Sequence, residues 1–139
     1  MGRVVVAARV ENLGDLIAVD EGRLTAGEVR AVDVPNALVD TGATGLSMPT
    51  SMLAPLGLKY LKSRRAVTSA GPTEVRMFGT VRLNVQGRDC PVDVTELPDG
   101  CPMLIGQIPL EAMDFVIDMR THQLTGNPDH GGEHVIELY

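Results

Sequence analysis

The chain predicts an all-β fold, and three observations carry that prediction. Short runs rich in β-branched residues recur, some with apolar and polar positions alternating, as in Val29-Arg30-Ala31-Val32-Asp33-Val34 and Thr80-Val81-Arg82-Leu83-Asn84-Val85. Turn signals built on 15 glycines and 9 prolines punctuate those runs. Only one short stretch, 49–57, reads as helix from its own residues. At 139 residues the chain predicts one domain, 1–139, long enough for a core of its own.

In order, Val4-Val5-Val6-Ala7-Ala8-Arg9-Val10 reads as a strand and Glu11-Asn12-Leu13-Gly14-Asp15 as the turn that stops it. Leu16-Ile17-Ala18-Val19 is a second apolar run, closed by Asp20-Glu21-Gly22 and read as further sheet scaffolding. After the half-buried strand at 29–34, Pro35-Asn36 is expected to turn the chain into Ala37-Leu38-Val39. That run is continuously apolar, as strands in a covered sheet are, and it ends at Asp40. The acid is therefore expected at the edge of the core. Gly42 leaves its N–H free to point at the carboxylate, and Thr41 and Ala43 are small enough to let a second backbone approach.

Beyond this turn, Leu46-Ser47-Met48 reads as a strand and 49–57 as one helical turn, capped by Thr50 or Ser51 and ended by Pro55 and Gly57. Residues 58–67 carry Lys59, Lys62, Arg64 and Arg65, a basic cluster in an acidic chain. It suits a solvated strand edge that discourages aggregation, with a surface favouring acidic partners as the alternative. Ser69-Ala70-Gly71-Pro72 is a hairpin signal, and Gln86-Gly87 turns the strand at 80–85 into Asp89-Cys90-Pro91-Val92-Asp93-Val94. Leu97-Pro98-Asp99-Gly100-Cys101-Pro102 is a rigid connection to Met103-Leu104-Ile105-Gly106. Phe115-Val116-Ile117-Asp118 and Gln123-Leu124-Thr125 form a last hairpin, and the apolar tail 134–139 is expected to add a strand or cover a subunit interface.

Composition narrows the function classes. With 12 basic against 18 acidic residues the net charge is −6, so no general cationic field exists to hold nucleic acid or an anionic membrane. The N-terminal run has five apolar residues between Arg3 and Arg9, too few for a signal peptide or a span, and Gly2 lacks the Ser or Thr that myristoylation needs at position 6. A cytoplasmic, soluble protein is the expectation. In that compartment Cys90 and Cys101 read as small apolar-like thiols more than as a bridge. His122, His130 and His134 stand in loop-like sequence with no spaced cysteine pair, so no metal and no cofactor is expected.

Three pieces in one order carry a family resemblance: Leu38-Val39-Asp40-Thr41-Gly42-Ala43; then Ser69-Ala70-Gly71-Pro72 with Glu74-Val75-Arg76-Met77-Phe78; then Met103-Leu104-Ile105-Gly106 with Gln107-Ile108-Pro109-Leu110-Glu111-Ala112-Met113. Over 29–124 the chain resembles the retropepsin-like aspartic proteases, relatives of the retroviral enzymes; 125–139 is a tail outside that core. The resemblance implies a small closed β-barrel with one or two short helices. Its chemistry needs two carboxylates, and the chain has one Asp-Thr-Gly. A symmetric homodimer is therefore implied, with Asp40 meeting its own copy.

The same resemblance implies roles for the motif residues. Asp40, Thr41 and Gly42 would be catalytic, Thr41 bonding across the two-fold axis and the Gly42 N–H steadying the carboxylates. Ala43, Thr44 and Gly45 would form the floor under an extended peptide, with Ser69, Ala70 and Gly71 as its lid. Leu104 and Ile105, followed by Gly106, would support the loop from beneath.

Three residues depart from the family pattern. Ala43 offers no hydroxyl to the carboxylate, which points to activity at weakly acidic or neutral pH. Thr44 stands where the retroviral enzymes have an acid, and Pro72 stiffens the lid. Three readings stay open: a dimeric aspartic endopeptidase, a dimer of the same fold that binds extended segments without cutting them, and an unrelated small β-barrel with Asp40 in a surface turn. A carboxylate brought against its own copy costs stability, which binding alone does not require.

Overall fold

The computed structural model describes residues 3–138, so Met1 and Gly2 of the N-terminal run and Tyr139 of the tail lie outside the described residues. Strand β1 (Val4–Asn12) alternates buried and exposed side chains and pairs antiparallel with β2 (Ala31–Val39). Between them the apolar run at 16–19 is helix, not strand: α1 spans Leu13–Asp20. Local chemistry overrides its β-like composition. The Asn12 side chain caps the helix by accepting from Asp15 N at 3.1 Å, and Asp15 and Ala18 are buried at helical spacing. The buried Asp15 carboxylate accepts from Arg30 N (3.0 Å), Nε (2.9 Å) and Nη2 (2.9 Å), which holds it below the usual carboxylate range.

The expected turn at Pro35-Asn36 is also absent, because β2 runs straight through it. Val6 faces Ala37 and Ala8 faces Val34, so Pro35 and Asn36 together oppose Ala7 as a β-bulge. A bulge residue needs no ladder partner, so a proline without an N–H is tolerated there.

The remaining strands are β3 (Leu46–Pro49), β4 (Lys59–Thr68), β5 (Gly71–Val85), β6 (Arg88–Leu97) and β7 (Leu104–Ile105), in the sheet order β1-β2-β7-β3-β6-β5-β4. Because β1 also pairs with β5, six strands close into a ring and β4 stays outside it as an edge. The two-residue strand β7 lies parallel to β2 and antiparallel to β3. Leu46, Met48, Leu56, Leu83, Met103, Ile105 and Met113 have essentially no exposure and fill the interior, thioethers serving where rings are scarce.

Helix α2 (Thr50–Leu53) and a 3-10 turn (Ala54–Leu56) end at Gly57, whose φ of +58° suits a residue without a Cβ. Neither Thr50 nor Ser51 caps α2 with its own side chain. A distant residue takes that part, with Ser51 N donating to Asp99 Oδ1 at 2.8 Å. Helix α3 (Gln107–Ala112) leads to the hairpin β8 (Phe115–Asp118) and β9 (Gln123–Gly126), a separate two-stranded sheet. The described tail, 134–138, adds no strand. Cys90 and Cys101 are free thiols; burial, then the Asp89 charge, pushes Cys90 up to about 11. No helix among the described residues is long and apolar enough to cross a membrane.

The C-terminal segment is strapped down through one carboxylate. Asp114, buried at a φ of +58°, accepts from Val135 N (3.1 Å) and Asn127 Nδ2 (3.3 Å) and lies 2.6 Å from His130 Nδ1. The far ring nitrogen of His130 meets Glu137 at 2.7 Å. The His130 contact leads in holding Asp114 down to about 2, while Glu137 and then Asp114 raise His130. Asp114 thus stabilises the fold above its ordinary value of 3.8, and that contribution is lost as pH falls toward 2. Protonated His130 stabilises it below 6.5, a contribution lost as pH rises through the raised value. The melting-temperature difference between the native chain and His130→Ala is therefore expected to be largest near about pH 5 and to narrow at alkaline pH, once the raised His130 value is passed. A constant difference across that range would contradict the pairing.

Candidate active site

Strand β2 delivers Asp40 onto a loop whose backbone is held from beneath. Leu38 N donates to Met103 O at 2.9 Å and Asp40 N to Ile105 O at 3.0 Å, so the parallel ladder with β7 runs up to the acid itself. The loop then turns back, with Ala43 N donating to Asp40 O at 3.0 Å. Its carbonyls are spoken for in sequence. Ala43 O accepts from Gln107 N, Thr44 O from Ile108 N and Gly45 O from Gly106 N, each at 2.9 Å. These are amides at the start of α3 that have no partner inside the helix, so loop and helix satisfy one another.

That fit explains Gly106. A Cβ there would lie 2.6 Å from the carbonyl oxygens of both Ala43 and Gly45, contacts with backbone that has no side-chain freedom to give way. The glycine is needed for close approach, since its φ of −92° is open to any residue. Leu46 and Ile105 face each other below the loop without exposure, and Leu104 pairs with Leu38 while half-buried. Of the three residues expected beneath the loop, Ile105 and Gly106 bond to it through their backbone, and Leu104 lies on β7 between Leu38 and Ser47.

Above this floor Asp40 is half-buried, and Thr41, Gly42 and Thr44 are exposed. Gly42 N donates to Asp40 Oδ1 at 2.9 Å, fixing the carboxylate's orientation. Among the described residues the other carboxylate oxygen and the Thr41 hydroxyl have no hydrogen-bond partner. Ala43 and Gly45 are half-buried and act through their carbonyls.

The expected lid is a two-residue turn, Ser69-Ala70, joining β4 to β5. Thr68 Oγ1 accepts from Ala70 N at 3.2 Å and donates to Gly71 O at 2.9 Å, and Gly71 adopts a φ of +109° that favours glycine. A groove of about 750 Å³ opens beside this hairpin, lined by Ala70, Gly71 and the start of β5, by 96–98 and by Thr50. The Asp40 loop does not line it. Sequence reasoning missed Arg76 and Glu96 on that wall, which pair by two bonds of 2.8 and 3.0 Å across β5 and β6. Only the strand register brings them together, and no local pattern encodes it.

The metal-type residues are not brought together. Among the described residues there is no cluster of three or more potential ligands; His130 is engaged by Asp114 and Glu137, and His134 Nε2 lies 3.0 Å from Ala112 O. The other Asp-Gly acid, Asp99, is occupied as the cap of α2, and the Ser51 N–H holds it below its usual range.

A family model described as aspartyl protease matches residues 22–108, more than half the chain, and spans the Asp40 loop, the hairpin and Leu104-Ile105-Gly106. The chain belongs to an aspartyl protease family of the retropepsin-like clan. None of the curated proteins matches it. For this member of the family the loop clamp yields a direct test. Gly106→Ala forces the loop or α3 to move, and denaturant unfolding should show a loss of about 1–3 kcal/mol. Unchanged stability would contradict the close approach.

Proposed function

We propose that the chain is an aspartic endopeptidase whose active site assembles at a homodimer two-fold axis, where Asp40 meets Asp40 of the partner subunit. The carrying observation is the Asp40 carboxylate, oriented by Gly42 N–H on a loop clamped from below, with its second oxygen open and one Asp-Thr-Gly per chain. The exposed Thr41 hydroxyl, without a partner among the described residues, suits a bond across the axis. A closed barrel with the β4–β5 hairpin as flap is the matching architecture, supported by the ring of six strands.

Two like charges this close do not both ionise, so the pair shares one proton and titrates as a unit. The ionised Asp40 takes a proton from water, and the water oxygen attacks the scissile carbonyl carbon. Protonated Asp40 of the partner subunit hydrogen-bonds the carbonyl oxygen and passes its proton to the tetrahedral intermediate. Asp40 passes the proton taken from water to the departing nitrogen and the C–N bond breaks, while Asp40 of the partner subunit takes a proton back from a hydroxyl of the intermediate. An acid and an amine leave, and the dyad again holds one proton.

The substrate lies extended between a floor of Ala43, Thr44 and Gly45 and a lid of Ser69, Ala70 and Gly71, joined largely through backbone hydrogen bonds. Pro72 limits how far that lid flexes. The floor and the hairpin belong to one groove only when two chains are combined, which fits the absence of the Asp40 loop from the groove beside the lid.

Casein is the test substrate, assayed from about pH 3 to about pH 8 with Asp40→Asn alongside and both proteins sized by light scattering. Cleavage by the native chain, with a bell-shaped profile in the weakly acidic to neutral range, is expected. Asp40→Asn should remain dimeric and cut nothing. Residual cleavage by Asp40→Asn, or an optimum below about pH 3, would contradict the proposal.

A further inference from the structure

Strand β4 presents ten consecutive residues at the open end of the sheet, and all but Ala66 are exposed. Its inner side pairs with β5 from Lys59–Gly79 to Thr68–Gly71, leaving the outer backbone edge without a protein partner among the described residues. Four of the chain's 12 cations, Lys59, Lys62, Arg64 and Arg65, stand on it. None makes an ion pair among the described residues, although Arg65 faces Glu74 across the ladder and Arg76, opposite Ser63, is engaged by Glu96. This is a cationic strip on a chain whose net charge is −6.

Charge alone would suit an edge that only resists aggregation. Yet the same strand exposes Val67 at 88 %, Tyr60 at 51 % and Leu61 at 43 %, apolar surface that a purely protective edge does not need. Lys62 and Arg64 share one face, Arg65 and Val67 the other, so an added strand would meet a cation on each side and an apolar contact on one. Two copies of this edge would bring like charges together, which disfavours self-pairing and selects an acidic occupant.

We infer that the outer edge of β4 is a docking strand for an extended, acid-rich peptide segment, which adds to the sheet beside β4 and pairs its carboxylates with Lys59, Lys62, Arg64 and Arg65. Backbone hydrogen bonds give the added strand its register, and the cations and exposed apolar residues choose its sequence. Since β4 runs directly into the Ser69-Ala70 turn, a segment docked there is led toward the groove beside the hairpin. Binding at this edge requires no turnover, so it stands independently of the proteolytic proposal.

The test uses Asp40→Asn protein and fluorescence anisotropy with a labelled peptide alternating Glu and Val. Saturable binding that weakens with salt is expected, and Lys62→Glu combined with Arg64→Glu should weaken it at least tenfold while circular dichroism stays unchanged. Methylating the peptide's backbone nitrogens at alternate positions should abolish it, as should replacing its Glu by Lys. Equal binding of the methylated peptide would overturn strand addition. Equal binding by the double variant would overturn the site. Binding of a single-stranded oligonucleotide but not the peptide would make the strip a polyanion surface and overturn the inference. A change in oligomeric state caused by the double substitution would make the edge a contact between copies, and would overturn it as well.

Discussion

The three hydrogen bonds joining the carbonyls of Ala43, Thr44 and Gly45 to the amides of Gln107, Ile108 and Gly106 are the constraint on which the rest depends. They solve two problems at once. A loop of small residues, left to itself, would place a carboxylate loosely, and a short helix would leave its first amides unsatisfied. Joined back to back, the loop becomes rigid and the helix acquires its cap. The fit requires the backbones to come so close that no side chain can intervene, and Gly106 meets that condition.

The sheet is arranged to bring those two pieces together. β7 has two residues, too short to stand alone, but it is held between β2 and β3 and carries the chain from Met103 straight to Gly106. Closure of the ring through β1 and β5 leaves the β4–β5 hairpin projecting as a long arm, braced at Arg76 by Glu96. The buried ionic groups mostly secure irregular segments: Asp15 with Arg30 ties α1 to the approach of β2, and Asp114 with His130 ties down the tail. Buried electrostatics secures these segments and exposed pairs such as Arg76–Glu96 cross the sheet, while apolar packing of the ring supplies the core.

Much of this was legible in the sequence wherever one local rule dominated. The apolar run into Asp40, the Gly42 amide on its carboxylate and the turn at Gln86-Gly87 follow from composition over a few residues, while the short helix after Gly106 came from the family resemblance. Misreadings arose where a distant partner decided the outcome. Leu16-Ile17-Ala18-Val19 has strand-like composition, but Asn12 caps it and Arg30, well downstream, anchors its Asp15. Pro35-Asn36 looks like a turn until Ala7 opposite makes it a bulge. Thr50 and Ser51 look like caps for their own helix, yet Asp99, far downstream, takes that part. Arg76 and Glu96 were invisible for the same reason, because register sets their meeting.

One Asp40 per chain makes each subunit half of the proposed active site. Mixing native chain with Asp40→Asn at fixed total concentration, after full exchange of subunits, measures this directly. If the dyad forms across the dimer, a mixed pair is inactive and proteolysis falls as the square of the native fraction. Activity that falls in simple proportion to the native fraction would mean that each chain works alone, and would contradict the account.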